Sequence, residues 1–239
     1  MKDVLLKTQF DEIMKLRRLT PSDILLILIN LFPVIGVWFL GWDAMRIFLV
    51  YAVETIIIGV FTVLKMAIVT IFVKPTDYWQ SGGQRKLTSG WFFIFFFMLH
   101  YGIFVFVQTQ IFFGVSDVIK STSTWGNYAA IPGALGEDGR LLLFVLIGYH
   151  VVQTYLSFIR TGEYRSIPMF KLMFQPYSRI IVQQFVVILG GFFVSFGLGK
   201  IFIVILAACI VFVELFSNFN KKLDEAFERQ EKVPIDPGE

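Results

Sequence analysis

Six apolar runs punctuate the chain: Ile24 to Leu40, Arg46 to Val73, Gly90 to Phe113, Leu141 to Ile159, Ile180 to Leu198 and Ile201 to Phe216. A helix needs about 20 residues, at ~1.5 Å each, to cross a hydrocarbon core of ~30 Å. The runs lack the short alternating segments and frequent turns of a barrel, and lipid offers the backbone no hydrogen bonds. The pattern therefore predicts an all-α polytopic membrane protein with six transmembrane helices. It divides the chain into an arm (1–23), a transmembrane domain (24–216) and a tail (217–239).

The flanks carry a second period. Leu6, Phe10, Ile13 and Leu16 recur at helical spacing beside Lys7, Lys15, Arg17 and Arg18, as in a helix lying at headgroup level. Phe216, Phe219, Leu223 and Phe227 carry an apolar stripe beyond the sixth run until Pro234 stops it. These are the expected amphipathic N- and C-terminal helices, to be covered by membrane lipids, by the protein's own loops, or by a second copy or protein partner. Between Gly114 and Arg140 the chain is rich in Ser, Thr, Gly and Pro. It reads as the one long loop, a lid or spacer, with Trp125 and Tyr128 as interface anchors.

Composition sharpens the class. Hydrophobic residues make up 56% of the 239 residues and charged residues only 16%, with 28 Phe and a mean hydropathy of +0.71, more apolar surface than one soluble core can hide. The net charge of +3 is scattered in short clusters between the runs, which excludes a nucleic-acid patch. A lone Cys209 excludes an internal disulfide, a cysteine zinc site and a CxxC redox pair. The polar start of the chain is not expected to be a cleavable signal. Sixteen Lys and Arg fall on the side of the termini and four on the other, so the positive-inside rule places both termini in the cytoplasm.

Ionisable residues within spans cost at least ~2.5–3.5 kcal/mol each at a helix centre, which makes them the first functional candidates. Glu54, Lys65, His100, His150 and Glu214 are of this kind, joined by Gln108, Gln183 and Gln184. Glu54 and Lys65 lie eleven residues apart, on nearly one face but separated by ~16 Å, so they cannot pair. Lys65 and Glu214 share a depth, and an ion pair between them is one expectation; snorkelling to separate surfaces is the other. Glu54 shares its depth with Gln108 and has no obvious basic partner. His100 and His150 both fall near the midplane, where facing imidazoles would hydrogen-bond across helices, relay a proton, or weakly qualify as ligands of a haem or metal. Thr154 and Ser157 extend the His150 face as a polar stripe, with Gln153 beside it. Arg179, Arg17 and Arg18 are placed to meet lipid headgroups. HExxH, GxSxG, P-loop and GxGxxG motifs are absent in usable context, so no catalytic residue, resident metal or cofactor is expected.

The run FPVIGVWFLGWDAMRIFLVYAVETIIIGVFTVLKM (Phe32 to Met66), with HYGIF from His100, GEYR from Gly162 and PYSRIIV from Pro176, resembles an uncharacterised bacterial multi-pass membrane family, a domain of unknown function. Its most distinctive part is the Gly-Trp-Asp turn followed by Tyr51, Glu54, Gly59 and Lys65. The resemblance supports Glu54, Lys65 and His100 as residues to watch and implies no activity. Similar proteins carry His where this chain has Gln108 and a Gln at 183 or 184, which speaks against a His-ligated metal here. Two functions fit: a small-solute, ion or proton transport component, or a non-catalytic accessory subunit of a membrane complex. A His-ligated haem or metal protein is a weaker third.

Overall fold

A computed structural model describes residues 21–73, 76–81, 84–116, 119, 123–177, 180–181, 190, 193 and 196–216. The described residues are mostly helical. Helix α1 (Pro21–Phe39) is followed by α2 (Ala44–Phe72), a β-hairpin of β1 (Thr76–Ser81) and β2 (Gln84–Ser89), and α3 (Gly90–Val115). Next come α4 (Thr124–Ala134), α5 (Gly136–Gln153) and a π-helical turn (Thr154–Ile159) continuing α5, then α6 (Met169–Phe174) and α7 (Gly199–Phe216). Three helices among the described residues are long and apolar enough to cross a membrane: Ala44–Phe72, Gly90–Gly114 and Gly136–Ile159, of 29, 25 and 24 residues. This is the architecture of a helical protein suited to a membrane. The first run corresponds to a shorter apolar helix, as does the last. The fifth run, the arm and the tail fall largely or wholly outside the described residues.

Helix α2 is the axis of the bundle. It packs against α3, α5, α6 and α7, while α1 is clasped by α7 and α5. Its most apolar window is 61% buried, against 28% for each of the other two long helices, so α3 and α5 leave broad apolar faces for lipid to cover. Two cores result. At the Asp43 end, Ile47 to Ala52 of α2 pack with Leu142 and Leu146 of α5 and with Phe202 and Leu206 of α7. At the hairpin end, Met66 and Val69 pack with Phe93, Phe97 and Phe158 and with Met169, Leu172 and Met173 of α6. Trp38 Nε1 donates to the Lys200 carbonyl at 3.2 Å and ties α1 to α7.

The Gly-Trp-Asp turn has a structural explanation residue by residue. Gly41 takes φ +74°, a left-handed conformation that glycine adopts without steric cost. The Trp42 N–H donates back across the turn to the Gly36 carbonyl at 3.0 Å, satisfying an end carbonyl of α1. The Trp42 ring lies against Gly36, where a Cβ would sit 2.1 Å from the indole, and meets Phe32 edge-on at 5.2 Å. Asp43 then caps α2, its Oδ1 accepting from the N–H groups of Met45 at 2.7 Å and Arg46 at 3.2 Å. Asp43→Ala is expected to cost about 1 kcal/mol in detergent unfolding, with Asp43→Asn close to wild type. An unchanged Asp43→Ala protein would show that this cap contributes nothing.

Two expectations need correction. The fold is not purely α: β1 and β2 pair antiparallel with Tyr78 opposite Leu87 and Trp79 opposite Lys86. Gly82 and Gly83 stand between the paired ends Ser81 and Gln84, a two-residue hairpin signal that the basic residues of the segment obscure. The stretch from Gly114 to Arg140 is not one long loop. Ser123 Oγ accepts from the Gly126 N–H and caps α4, and α5 begins at Gly136, five residues before the apolar run, with Glu137 and Asp138 complementing its first turn. The segment between the fourth and fifth runs packs into the bundle. Ile167, Met169, Leu172 and Met173 are buried in the second core, in pieces too short to register as a span.

Candidate functional site

The centre of α2 buries a carboxylate. Glu54 is 0% exposed, and His150 of α5, 11% exposed, places Nε2 3.3 Å from Glu54 Oε1, within hydrogen-bond reach. The imidazole is held by the rings of Phe61, at 5.6 Å between centroids, and Tyr149, at 5.2 Å. Glu54 therefore has a titratable partner, contrary to the sequence expectation. The reason is topological: α2 and α5 are separated in sequence by a hairpin and two helices but packed side by side, which no spacing rule reveals. Their contacts run in the same order along both helices, Val50 beside Gly139, Glu54 with His150, and Lys65 with Phe158, so the two run parallel.

Below His150 the helix widens. The Arg160 N–H reaches back five residues to the Tyr155 carbonyl at 2.8 Å, so one turn holds an extra residue, a feature that recurs at functional sites. Thr154 is buried there, and the Ser157 hydroxyl returns to the Gln153 carbonyl, so the expected polar stripe turns partly back onto its own backbone. Lys65 is half-buried with Nζ 5.6 Å from the centre of the Phe158 ring, and the Glu163 carboxylate is the acid whose charge acts on it. The side chain of Glu214, its expected partner, lies outside the described residues.

His100 has other company. Its Nδ1 is 2.6 Å from the Tyr177 hydroxyl, and its ring stacks on Phe96 at 5.5 Å with 10° between planes. Tyr177 belongs to the same PYSR run as Arg179, and sequence reasoning looked only at the arginine; the available signal was the co-occurrence of that run with HYG. The neighbouring Tyr101 turns towards α2, donating its hydroxyl to the Thr55 carbonyl at 2.6 Å with its ring over Gly59. The two histidines thus have separate partners on different flanks of the bundle. Among the described residues no group of three or more His, Cys, Asp or Glu could hold a metal ion. Gln108 is 2% exposed with neither end of its amide hydrogen-bonded among the described residues. An apolar groove of about 430 Å³ between α2 and α3, lined by Ile56, Gly59, Val60, Tyr101 and Phe106 and ending at Tyr128, opens on the bundle surface away from the Glu54 pair. Gln183, Gln184, Arg179, Arg17 and Arg18 lie outside the described residues.

Long apolar helices with bare outer faces, and a carboxylate and an imidazole sealed between two of them, define the class: a helical protein fit for a membrane, with a polar seam inside. The chain belongs to a family of unknown function (DUF6498), matched over residues 12–231. No curated protein and no solved structure matches it.

Proposed function

We propose that this chain is a six-span protein of a bacterial cytoplasmic membrane, with both termini in the cytoplasm, that passes protons along the seam between α2 and α5. The observation that carries the reading is the fully buried Glu54 carboxylate 3.3 Å from His150 Nε2. In a bundle, a buried ionisable residue is retained against a cost of several kcal/mol, and such residues mark ion and proton pathways. A carboxylate and an imidazole in hydrogen-bond reach can hand over one proton without either group crossing the membrane. With the Asp43 end outermost, Glu54 and His150 form the central station, and Lys65 with Glu163 stand towards the cytoplasm on the same side of α2. The Lys65 cation on that side would resist passage of other cations and leave protons as the favoured cargo. The amphipathic arm and tail lie along the cytoplasmic headgroups in this reading, with Arg17, Arg18 and Arg179 on lipid phosphate.

The test is flux. Purified protein in vesicles loaded with a pH-sensitive dye should dissipate an imposed pH gradient, and Glu54→Gln should slow this at least tenfold, as should His150→Phe. A wild-type rate equal to that of empty vesicles would overturn the reading. A stoichiometric companion retained through mild-detergent purification would favour the accessory-subunit alternative.

A further inference from the structure

His100 stands at a place where a polar group needs a reason. It is the eleventh of the 26 residues of α3, about 15 Å from the Gly90 end and about 22 Å from the Val115 end at ~1.5 Å per residue, and it is exposed. Ile103 and Phe104, within about 60° of it round the helix, are 56% and 39% exposed and would meet lipid chains. Intramembrane histidines ordinarily face the bundle interior.

The hydrogen bond to Tyr177 fixes which ring nitrogen carries the proton. If Nδ1 accepts from the Tyr177 hydroxyl, the phenol is satisfied and Nε2–H is the single group left over. If Nδ1 were instead the donor, both the phenolic hydrogen and the Nε2 lone pair would lack partners in an apolar medium. The first arrangement leaves one polar group unmade rather than two and is the favoured one. His100 thus presents an N–H donor to the middle of the bilayer. A second copy meeting it about a two-fold axis would set donor against donor, so the matching group is an acceptor. Phospholipid esters and headgroups stay near the surface, too far to reach. Among the described residues the surroundings offer ring faces and no second polar contact: Phe96 lies parallel to the imidazole, and Phe104 stands across it at 5.1 Å and 61°.

We infer that His100, held by Tyr177 and flanked by Phe96 and Phe104, is the binding site for a lipid-soluble ring ketone of the quinone type, which accepts the Nε2–H hydrogen bond through one carbonyl and packs its ring among the aromatic side chains. The site stands apart from the Glu54 pair and does not depend on it.

The full chain in detergent is titrated with a decyl-tailed benzoquinone and, in parallel, with decylbenzene, which has the same tail and no carbonyl. Binding is followed by thermal stabilisation and by quenching of tryptophan fluorescence. Saturable binding of the quinone is expected, with no competition from decylbenzene. One neutral hydrogen bond sets the effect of His100→Phe at about tenfold weaker binding. His100→Gln, which keeps an N–H donor, should stay within about threefold of wild type, a rescue that a purely structural role would not produce. Tyr177→Phe, which frees the tautomer, should fall between. Binding of decylbenzene as tight as the quinone, unchanged quinone binding in His100→Phe, or a dimer that His100→Phe converts to monomer would each overturn the assignment. Proton flux unaffected by His100→Phe supports its independence from the Glu54 seam.

Discussion

His150→Phe should lower the stability of the protein in detergent by about 3–5 kcal/mol, although it keeps a ring between Phe61 and Tyr149. The loss comes from what remains behind. Glu54 is 0% exposed, so removing the imidazole at 3.3 Å takes a ring nitrogen from a carboxyl group that water does not reach. Glu54→Leu alone should also destabilise, by stranding an imidazole in an apolar seam, but less, because a neutral imidazole is cheaper to bury than a carboxylate. The double replacement removes the problem along with the pair, since apolar residues of similar volume often serve a buried site as well as an ion pair does. Chemical unfolding of wild type, both single variants and the double variant gives the coupling directly. Additive losses would mean that the two groups do not interact.

The second large effect is steric. A Cβ on Gly59 would fall 2.5 Å from Tyr101 Cε1, and the ring cannot step aside because its hydroxyl is bound to the Thr55 carbonyl at 2.6 Å. Gly59→Val must either part α2 from α3 or break that bond, for about 3 kcal/mol in overpacking and a lost hydrogen bond. Gly102→Val is the matched control: a Cβ there meets nothing within 4 Å, so the change should stay within about 0.5 kcal/mol. Adding Tyr101→Leu to Gly59→Val should recover part of the loss by making room. Thermal unfolding in one detergent decides among these, and equal effects at Gly59 and Gly102 would contradict the close approach of α2 and α3.

The second, third and fourth apolar runs match α2, α3, and α5 with its π-helical turn within a few residues, because an apolar stretch of that length has few other uses. Counting along each run put Glu54, His100 and His150 away from the run ends, and each lies within a helix. What a sequence withholds is which helix stands beside which. Glu54 and His150 are 96 positions apart on helices that are not neighbours in the chain, and facing them required α5 to pack beside α2. The expectation that His100 and His150 would meet assumed that consecutive helices pair, and α2 occupies that place instead. Short pieces escaped for another reason. Six residues of α6 and six in each strand carry too little period to stand out beside runs of twenty or more.

The widened turn at Thr154–Ile159 matters for how the two parallel helices are indexed to one another. A regular helix pair has a single setting: fixing one contact fixes every other contact along the seam. One surplus residue works as a vernier, because it lets the upper half of α5 be set against Glu54 while the stretch bearing Phe158 is set separately against Lys65. The two stations are thereby offset from one another by about a residue's worth of twist, roughly 100°, relative to an unbroken helix.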